Sequence, residues 1–294
     1  MYKTKILIQR SMALGDVIMT TPIIRSLYDQ YEGNCEIDIR TIYADVYVNN
    51  PYINKIIGMR DNLNVADYDH FINLDLAYEK NLKTHVIEAY KRLALGHKYD
   101  IEDSSTEIHY TDEDEQFVDQ YMTDNKLTKG KFAVVHIHQG GWPAKNLPTD
   151  FWSDIVENIL DNSEHSVVQI GLPNEMAFDG DDRLINALGK FSIPQLALLI
   201  DRAKLYIGVD SGPTHIAGAT ETTIVGFYTA ARSDYLKPLR TKGTFVPIAA
   251  DIECYGCREN ILPPDIDFKC VRGDVDCINR FDIDKVNATI NNLL

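Results

Sequence analysis

The stretch with the most chemical content is Asp210-Ser211-Gly212-Pro213-Thr214-His215. A run of β-branched and aromatic residues ends at Asp210, a Ser211-Gly212 turn follows, and Pro213 suits the first position of a helix. That helix begins without large side chains, so its backbone N–H groups and the positive end of its dipole are open to an anion. His215 lies one turn inside it, as part of a phosphate site or as a structural histidine. Three further places share the same setting, just past a strand. Gly15-Asp16 opens the first helix, where the carboxylate either caps the helix or faces a cleft. The loop from His138 to Lys145 has two glycines that let a ligand approach the backbone, and a lysine that can pair with phosphate or simply be solvated. Glu175, in Gly171-Leu-Pro-Asn-Glu175, can accept a hydrogen bond from a sugar hydroxyl or stand exposed in its loop. In a doubly wound sheet the loops after successive strands converge on one face, which is the reason to read the four together.

The elements that must position these residues follow a strand–helix alternation. Ile6–Ile8, Glu36–Thr41, Ile53–Gly58 and His70–Leu74 read as strands; Val17–Gln30, Asn81–Leu95 and Asp112–Asp124 read as helices. A polar, glycine-containing stretch at 124–131 then separates this half from a second one. The pattern restarts with strands Phe132–His136 and Ser166–Ile170, a helix at Thr149–Leu160 with Thr149 as its cap, and a helix at Ile193–Ala203. Thr223–Tyr228 supplies a strand after the helix that carries His215. Beyond Asp251 the chain is irregular and cysteine-rich, and it closes with a helix at Ile283–Leu294. The expectation is an α/β protein of two Rossmann-like, doubly wound domains with parallel sheets, residues 1–126 and 127–294, the second carrying a Cys-rich segment at 251–280. A chain of 294 residues fits two domains of about 150 each.

Composition narrows the partners. With 44 acidic against 29 basic residues the net charge is −15, which argues against a nucleic-acid groove and leaves no basic surface for anionic lipid. No apolar run reaches the ~18 to 20 residues of a membrane span. The N-terminus has no signal-peptide cleavage pattern, so a cytoplasmic protein without stable membrane insertion is expected.

Three segments in order resemble glycosyltransferase family 9, the bacterial heptosyltransferase-like enzymes. They are Gly15-Asp16-Val-Ile-Met-Thr-Thr-Pro22 with Arg25-Ser-Leu27; Lys145-Asn-Leu-Pro148 with Phe151-Trp152; and Asp210 to Ala217 with Phe227-Tyr228 and Pro238. The resemblance implies a GT-B fold, with the active site between two Rossmann-like domains. It also implies inverting transfer from a nucleotide-diphosphate sugar, often ADP-heptose in lipopolysaccharide biosynthesis, with no metal or other cofactor for catalysis. Asp16 then corresponds to the general base, Lys145 to a diphosphate ligand and Glu175 to a ribose contact. Ser211, Gly212, Pro213, Thr214 and His215 wrap the phosphates, while Asp210 holds the loop's shape. His85 corresponds to an acceptor-side histidine, with a core or surface role as the alternative. The acceptor is a glycan, a lipid-linked sugar or a protein.

Cys254, Cys257, Cys270 and Cys277, with gaps of two, twelve and six residues, have the ligand count of a tetrathiolate metal site. Gly256 permits the tight turn of the first pair; the second pair is more widely spaced than in a zinc ribbon. Some relatives in the family carry a Cys-rich C-terminal segment that binds iron. A structural zinc or iron is therefore one expectation and free thiols the other, disulfides being disfavoured in a cytosolic enzyme. Two other functional readings remain at this stage: a GT-B nucleotide-sugar epimerase, which needs no acceptor, and a nucleotide- or glycan-binding protein without turnover.

Overall fold

The structure is a computed structural model that describes residues 3–79, 83–96, 101–138, 140, 142–260 and 270–294. The first half builds β1 (Thr4–Gln9), α1 (Leu14–Ile18), α2 (Thr21–Gln30), β2 (Cys35–Arg40), β3 (Lys55–Ile57), β4 (His70–Asn73), α3 (Val86–Ala94) and α4 (Asp112–Asp124). The second builds β5 (Phe132–His136), α5 (Thr149–Asn162), β6 (Ser166–Ile170), β7 (Leu184–Asn186), α6 (Ile193–Arg202), β8 (Leu205–Val209), α7 (Gly212–Gly218), β9 (Thr223–Tyr228), α8 (Ser233–Leu236), β10 (Phe245–Ala249) and α9 (Ile283–Leu293). The strands form two parallel sheets in the orders β3-β2-β1-β4 and β10-β9-β8-β5-β6-β7. Each sheet runs outward from a central strand and then restarts on that strand's other side. The reversal lies between β1 and β4 in one sheet and between β5 and β8 in the other. At such a switch point the connections diverge and leave a crevice beyond the strand ends.

Buried on both faces, the central strands read as continuous apolar runs: β5 and β8 have no exposed residue. One face of the second sheet packs on α5 and α9 through Trp152, Phe227, Val286 and Ile290, with Phe151 and Phe281 completing an edge-to-face aromatic group. The other core runs without a break from Ile6, Ile8 and Ile37 of the first sheet to Val134, Tyr206 and Ile224 of the second.

Several expectations are corrected. Val17–Gln30 is two helices. Pro22 has no N–H to donate and its ring would crowd the carbonyl of Ile18, so the ladder breaks, and the Thr20 and Thr21 hydroxyls bond back to the Val17 and Ile18 carbonyls at 2.8 and 2.9 Å. Thr149 is the first helical residue, and the cap position is taken by Pro148 without a side-chain bond. The Asn81–Leu95 helix is shorter and starts at Val86, capped by His85; residues 81 and 82 lie outside the described residues. The short strands β7 and β10 were not expected.

Candidate active site

The two switch points face each other across a cavity of about 540 Å³, within the range of small-molecule sites. Its walls come from α1 and the loop before it on one side and from the loops after β5, β6 and β8 on the other. Asp16, Lys145, Glu175, Asp210, Ser211, Gly212, Pro213 and His215 all line it. The contact between the halves is tight. A Cβ on Gly15 would overlap the His215 ring, and one on Gly212 would stand 2.7 Å from Leu14 Cδ2, so only glycine lets α1 and α7 meet this closely. Ala13, before α1, holds φ at +64°, a left-handed conformation costly for a residue with a side chain, at the lip of the same cavity.

Asp16 is buried in the first turn of α1. Its carboxylate accepts hydrogen bonds from the Arg10 guanidinium and from Tyr78 Oη, the latter at 3.1 Å. Arg10 also donates to Glu79 Oε1 at 3.0 Å and to the Leu74 carbonyl at 3.2 Å, and lies beside the rings of Tyr78 and Tyr90. Burial alone would depress the Arg10 pKa, but Asp16, Tyr90 and Glu79 outweigh it and hold it above the ordinary arginine value. Burial and Asp16 push the Tyr78 phenol upward, so it stays a neutral donor.

On the facing wall Lys145 Nζ is 2.7 Å from Asp210 Oδ2, a pair of two largely buried side chains. Burial would raise the Asp210 pKa, yet Lys145 and then His215 reverse this and hold it below the usual range. His215 Nε2 is 4.0 Å from Asp210 Oδ1, and its Nδ1 is buried without a hydrogen-bond partner. Burial depresses the His215 pKa against the pull of Asp210 and Asp16, which favours the neutral ring. Ser211 Oγ lies 3.2 Å from Nδ1 of His136, a buried histidine at the end of β5 whose pKa burial pushes down to about 4. Glu175 turns a buried, unpartnered Oε2 toward the start of its own loop, and burial raises its pKa. An acceptor oxygen in that state is suited to a hydroxyl donor.

Two expected ligands sit elsewhere. Thr214 is fully buried behind α7, with Oγ1 bonded to the Val209 carbonyl at 2.5 Å and 3.2 Å from Tyr206 Oη, so its side chain shapes the turn and is not part of the cavity wall. His85 caps α3: Nδ1 accepts from the Ile87 amide at 3.2 Å, which leaves Nε2 as the donor to the Lys237 carbonyl at 3.0 Å. It ties the two halves together and does not line the cavity.

The four C-terminal cysteines are gathered but not convergent. Burial raises the Cys277 thiol to about 11, with further contributions from Cys257, Cys270 and Cys254, so all four share one neighbourhood. Among the described residues, however, no three His, Cys, Asp or Glu side chains form a group that could hold a metal ion. Cys270 Sγ instead accepts the Val275 amide at 3.3 Å, and Cys277 Sγ lies 3.8 Å from the Val275 carbonyl. Among the described residues the thiols therefore do not form the tetrathiolate site that was one of the two expectations.

Sequence reading missed Arg10, Tyr78, His136 and Arg258, all of which border the Asp16 site or the cavity itself. Arg10 had a legible signal, a charge at the carboxyl end of an apolar strand. Arg258 sits in the Cys-rich segment with its guanidinium 5.0 Å from the Trp142 ring and 6.0 Å from the Tyr78 ring, and only the fold brings it here.

The comparisons with known proteins agree with this geometry. The family model described as glycosyltransferase family 9 (heptosyltransferase) matches residues 52–261. Lipopolysaccharide heptosyltransferase 3 of Escherichia coli is 41% identical over 66 residues, 22% of this chain and 19% of that protein; the chain thus aligns with about a fifth of the length of that curated relative. Among solved structures, the family 9 glycosyl transferase of Veillonella parvula DSM 2008 superposes with a TM-score of 0.76 at 17% identity, over 99% of this chain and 97% of that one. TibC of enterotoxigenic E. coli, an iron-containing dodecameric heptosyltransferase solved with ADP-D-β-D-heptose, gives 0.72 at 16% identity over 99% and 76%. At these identities the structures speak to the fold, which is GT-B. No helix among the described residues is long and apolar enough to cross a membrane. The family model covers well over half of the sequence, and the chain belongs to glycosyltransferase family 9.

Proposed function

We propose that this protein is an inverting glycosyltransferase that moves a heptose-like sugar from a nucleoside-diphosphate donor to an acceptor hydroxyl, with Asp16 as general base. The observation that carries the reading is the cavity with Asp16 on one wall and Lys145 with the Asp210–His215 turn on the other. Residues 1–126 hold the acceptor, a glycan, lipid-linked sugar or protein, and residues 127–294 the donor, with Glu175 on the nucleotide ribose. The names of the relatives, heptosyltransferases and an ADP-heptose complex, support heptose and adenine and a role in lipopolysaccharide assembly.

In this mechanism the acceptor oxygen attacks the anomeric carbon as its proton passes to Asp16. The bond from that carbon to the diphosphate oxygen breaks, and the nucleoside diphosphate leaves on the opposite face. Arg10 and Tyr78 hold the carboxylate in place. The leaving diphosphate is met by the first turn of α7 and by Lys145 once it swings from Asp210. No step passes through a metal.

Transfer assayed with and without acceptor, with the anomeric configuration of the product read by NMR, tests the reading: an inverted product that forms only with acceptor supports it. Retention would remove the single-displacement mechanism, and epimer formation without acceptor would replace transfer altogether. A second measurement concerns Lys145. Lys145→Ala weakens ADP binding in calorimetry by about tenfold or more and also lowers the melting temperature, because Asp210 is left as an unpaired buried charge. Lys145→Met combined with Asp210→Asn regains the stability but not the affinity. Wild-type affinity in both would discard Lys145 as a phosphate ligand.

A further inference from the structure

The cations around the cavity differ in how their charge is used. Arg10 is paired with Asp16 and Glu79, and Lys145 with Asp210. Arg258 lines the same cavity, yet among the described residues no carboxylate oxygen comes within ion-pair distance of its guanidinium. It hydrogen-bonds with Tyr78 and lies beside two aromatic faces, Tyr78 from the first half and Trp142 from the second. The side chain is aimed by its backbone. Gly256 N donates to the Thr229 carbonyl at 3.1 Å, Arg258 N to the Ala230 carbonyl at 2.9 Å, and Cys257 N closes a turn on the Cys254 carbonyl at 3.1 Å. These bonds lock the first cysteine pair to the loop after β9, and Ser233 N donates to Tyr255 Oη at 3.1 Å to hold the same knuckle from the other side. Asp210 and Asp16, acting from beyond ion-pair distance, help keep the guanidinium charged against the cost of its burial, so it stands ready to meet an anion that enters the cavity. The fork of donors matches phosphate oxygens two at a time, and flanking rings fix its plane.

We propose that Arg258, carried into the cavity by the cysteine segment, binds the phosphates of the nucleotide donor. The turn at 254–258 then has a direct part in donor binding, as the scaffold that presents this cation. The inference rests on the transferase reading above, and its test keeps the two apart. Calorimetry with ADP, and competition with adenosine, are compared for the wild type, Arg258→Gln and Arg258→Lys, with thermal melting recorded for each. We expect Arg258→Gln to lose about tenfold or more in ADP affinity, to change adenosine affinity by less than about twofold, and to melt cooperatively. Arg258→Lys, which keeps the charge, recovers part of that loss. ADP affinity within about twofold of wild type in Arg258→Gln overturns the assignment. An equal loss for adenosine also overturns it, because the cause is then the shape of the site and not its contact with phosphate. A wild-type protein that binds no nucleoside diphosphate at all defeats the transferase reading first, whatever the Arg258 variants do.

Discussion

At the residue scale the site keeps His136 and His215 neutral and engages Asp16 and Asp210 in ion pairs. His136 shows the consequence most directly. Its ring is buried, with Nδ1 near Ser211 Oγ and, among the described residues, no acidic partner, so its folded pKa of about 4 lies below the ordinary histidine value of 6.5. Between those values the unfolded chain binds a proton that the folded one refuses, so stability falls as pH drops from 6.5 toward 4 and is fully present above that window. The contribution is on the order of 3 kcal/mol at most. We expect urea midpoints to decline over this range, and His136→Gln to flatten the decline. A wild-type profile that stays level from pH 7 to 4 would show that His136 protonates as readily folded as unfolded.

At the element scale the decisive feature is the meeting of α1 and α7. Each begins at the end of a central strand next to a switch point, and Gly15 and Gly212 remove the side chains that would hold them apart. In a helix Ala is favoured over Gly by about 1 kcal/mol, so Gly15→Ala on intrinsic grounds stabilises. Overlap with the His215 ring opposes this and costs about 1–3 kcal/mol, since overpacking displaces backbone. The expected outcome is a net loss in denaturant unfolding together with reduced turnover, as α1 carries Asp16 away from the donor wall. A variant more stable than wild type and equally active would mean that the approach of the two helices is loose. The turns at Gly15-Asp16 and Asp210–Pro213 were legible because turn residues and strand ends are local signals. The break between α1 and α2 was also written in the sequence, at Pro22, but apolar spacing from Val17 to Leu27 ran through it and masked it. β7 and β10 were illegible: the one is three residues long, the other carries Pro247, and both lie at the sheet's edges, where the buried pattern weakens.

At the scale of the whole molecule, two halves are fastened around one cavity. α4 belongs to the first half by sequence but packs against the second, through Phe117 and Tyr121 on Phe191 just before α6 and through an ion pair from Asp119 to Arg202 at the end of α6. The His85–Lys237 bond adds a further tie. What the sequence could not display is convergence. Tyr78 meets Asp16 across 62 positions, and Arg258 reaches both halves from a segment whose cysteines had suggested a structural metal or free thiols. Strand–helix alternation announced two parallel sheets, yet nothing in it announced which distant side chains their loops would bring together. The same arrangement places Asp16, the proposed base, across the cavity from the groups proposed to take the phosphates, so the two proposed functions are separable by substitution. The measurement that tests this most directly is Asp16→Asn, with ADP affinity by calorimetry and transfer rate on one preparation. Loss of the base should lower turnover by about a hundredfold or more while ADP affinity stays within about twofold. Turnover close to wild type in a variant that still binds ADP would contradict the account, because proton transfer would then lie with another group.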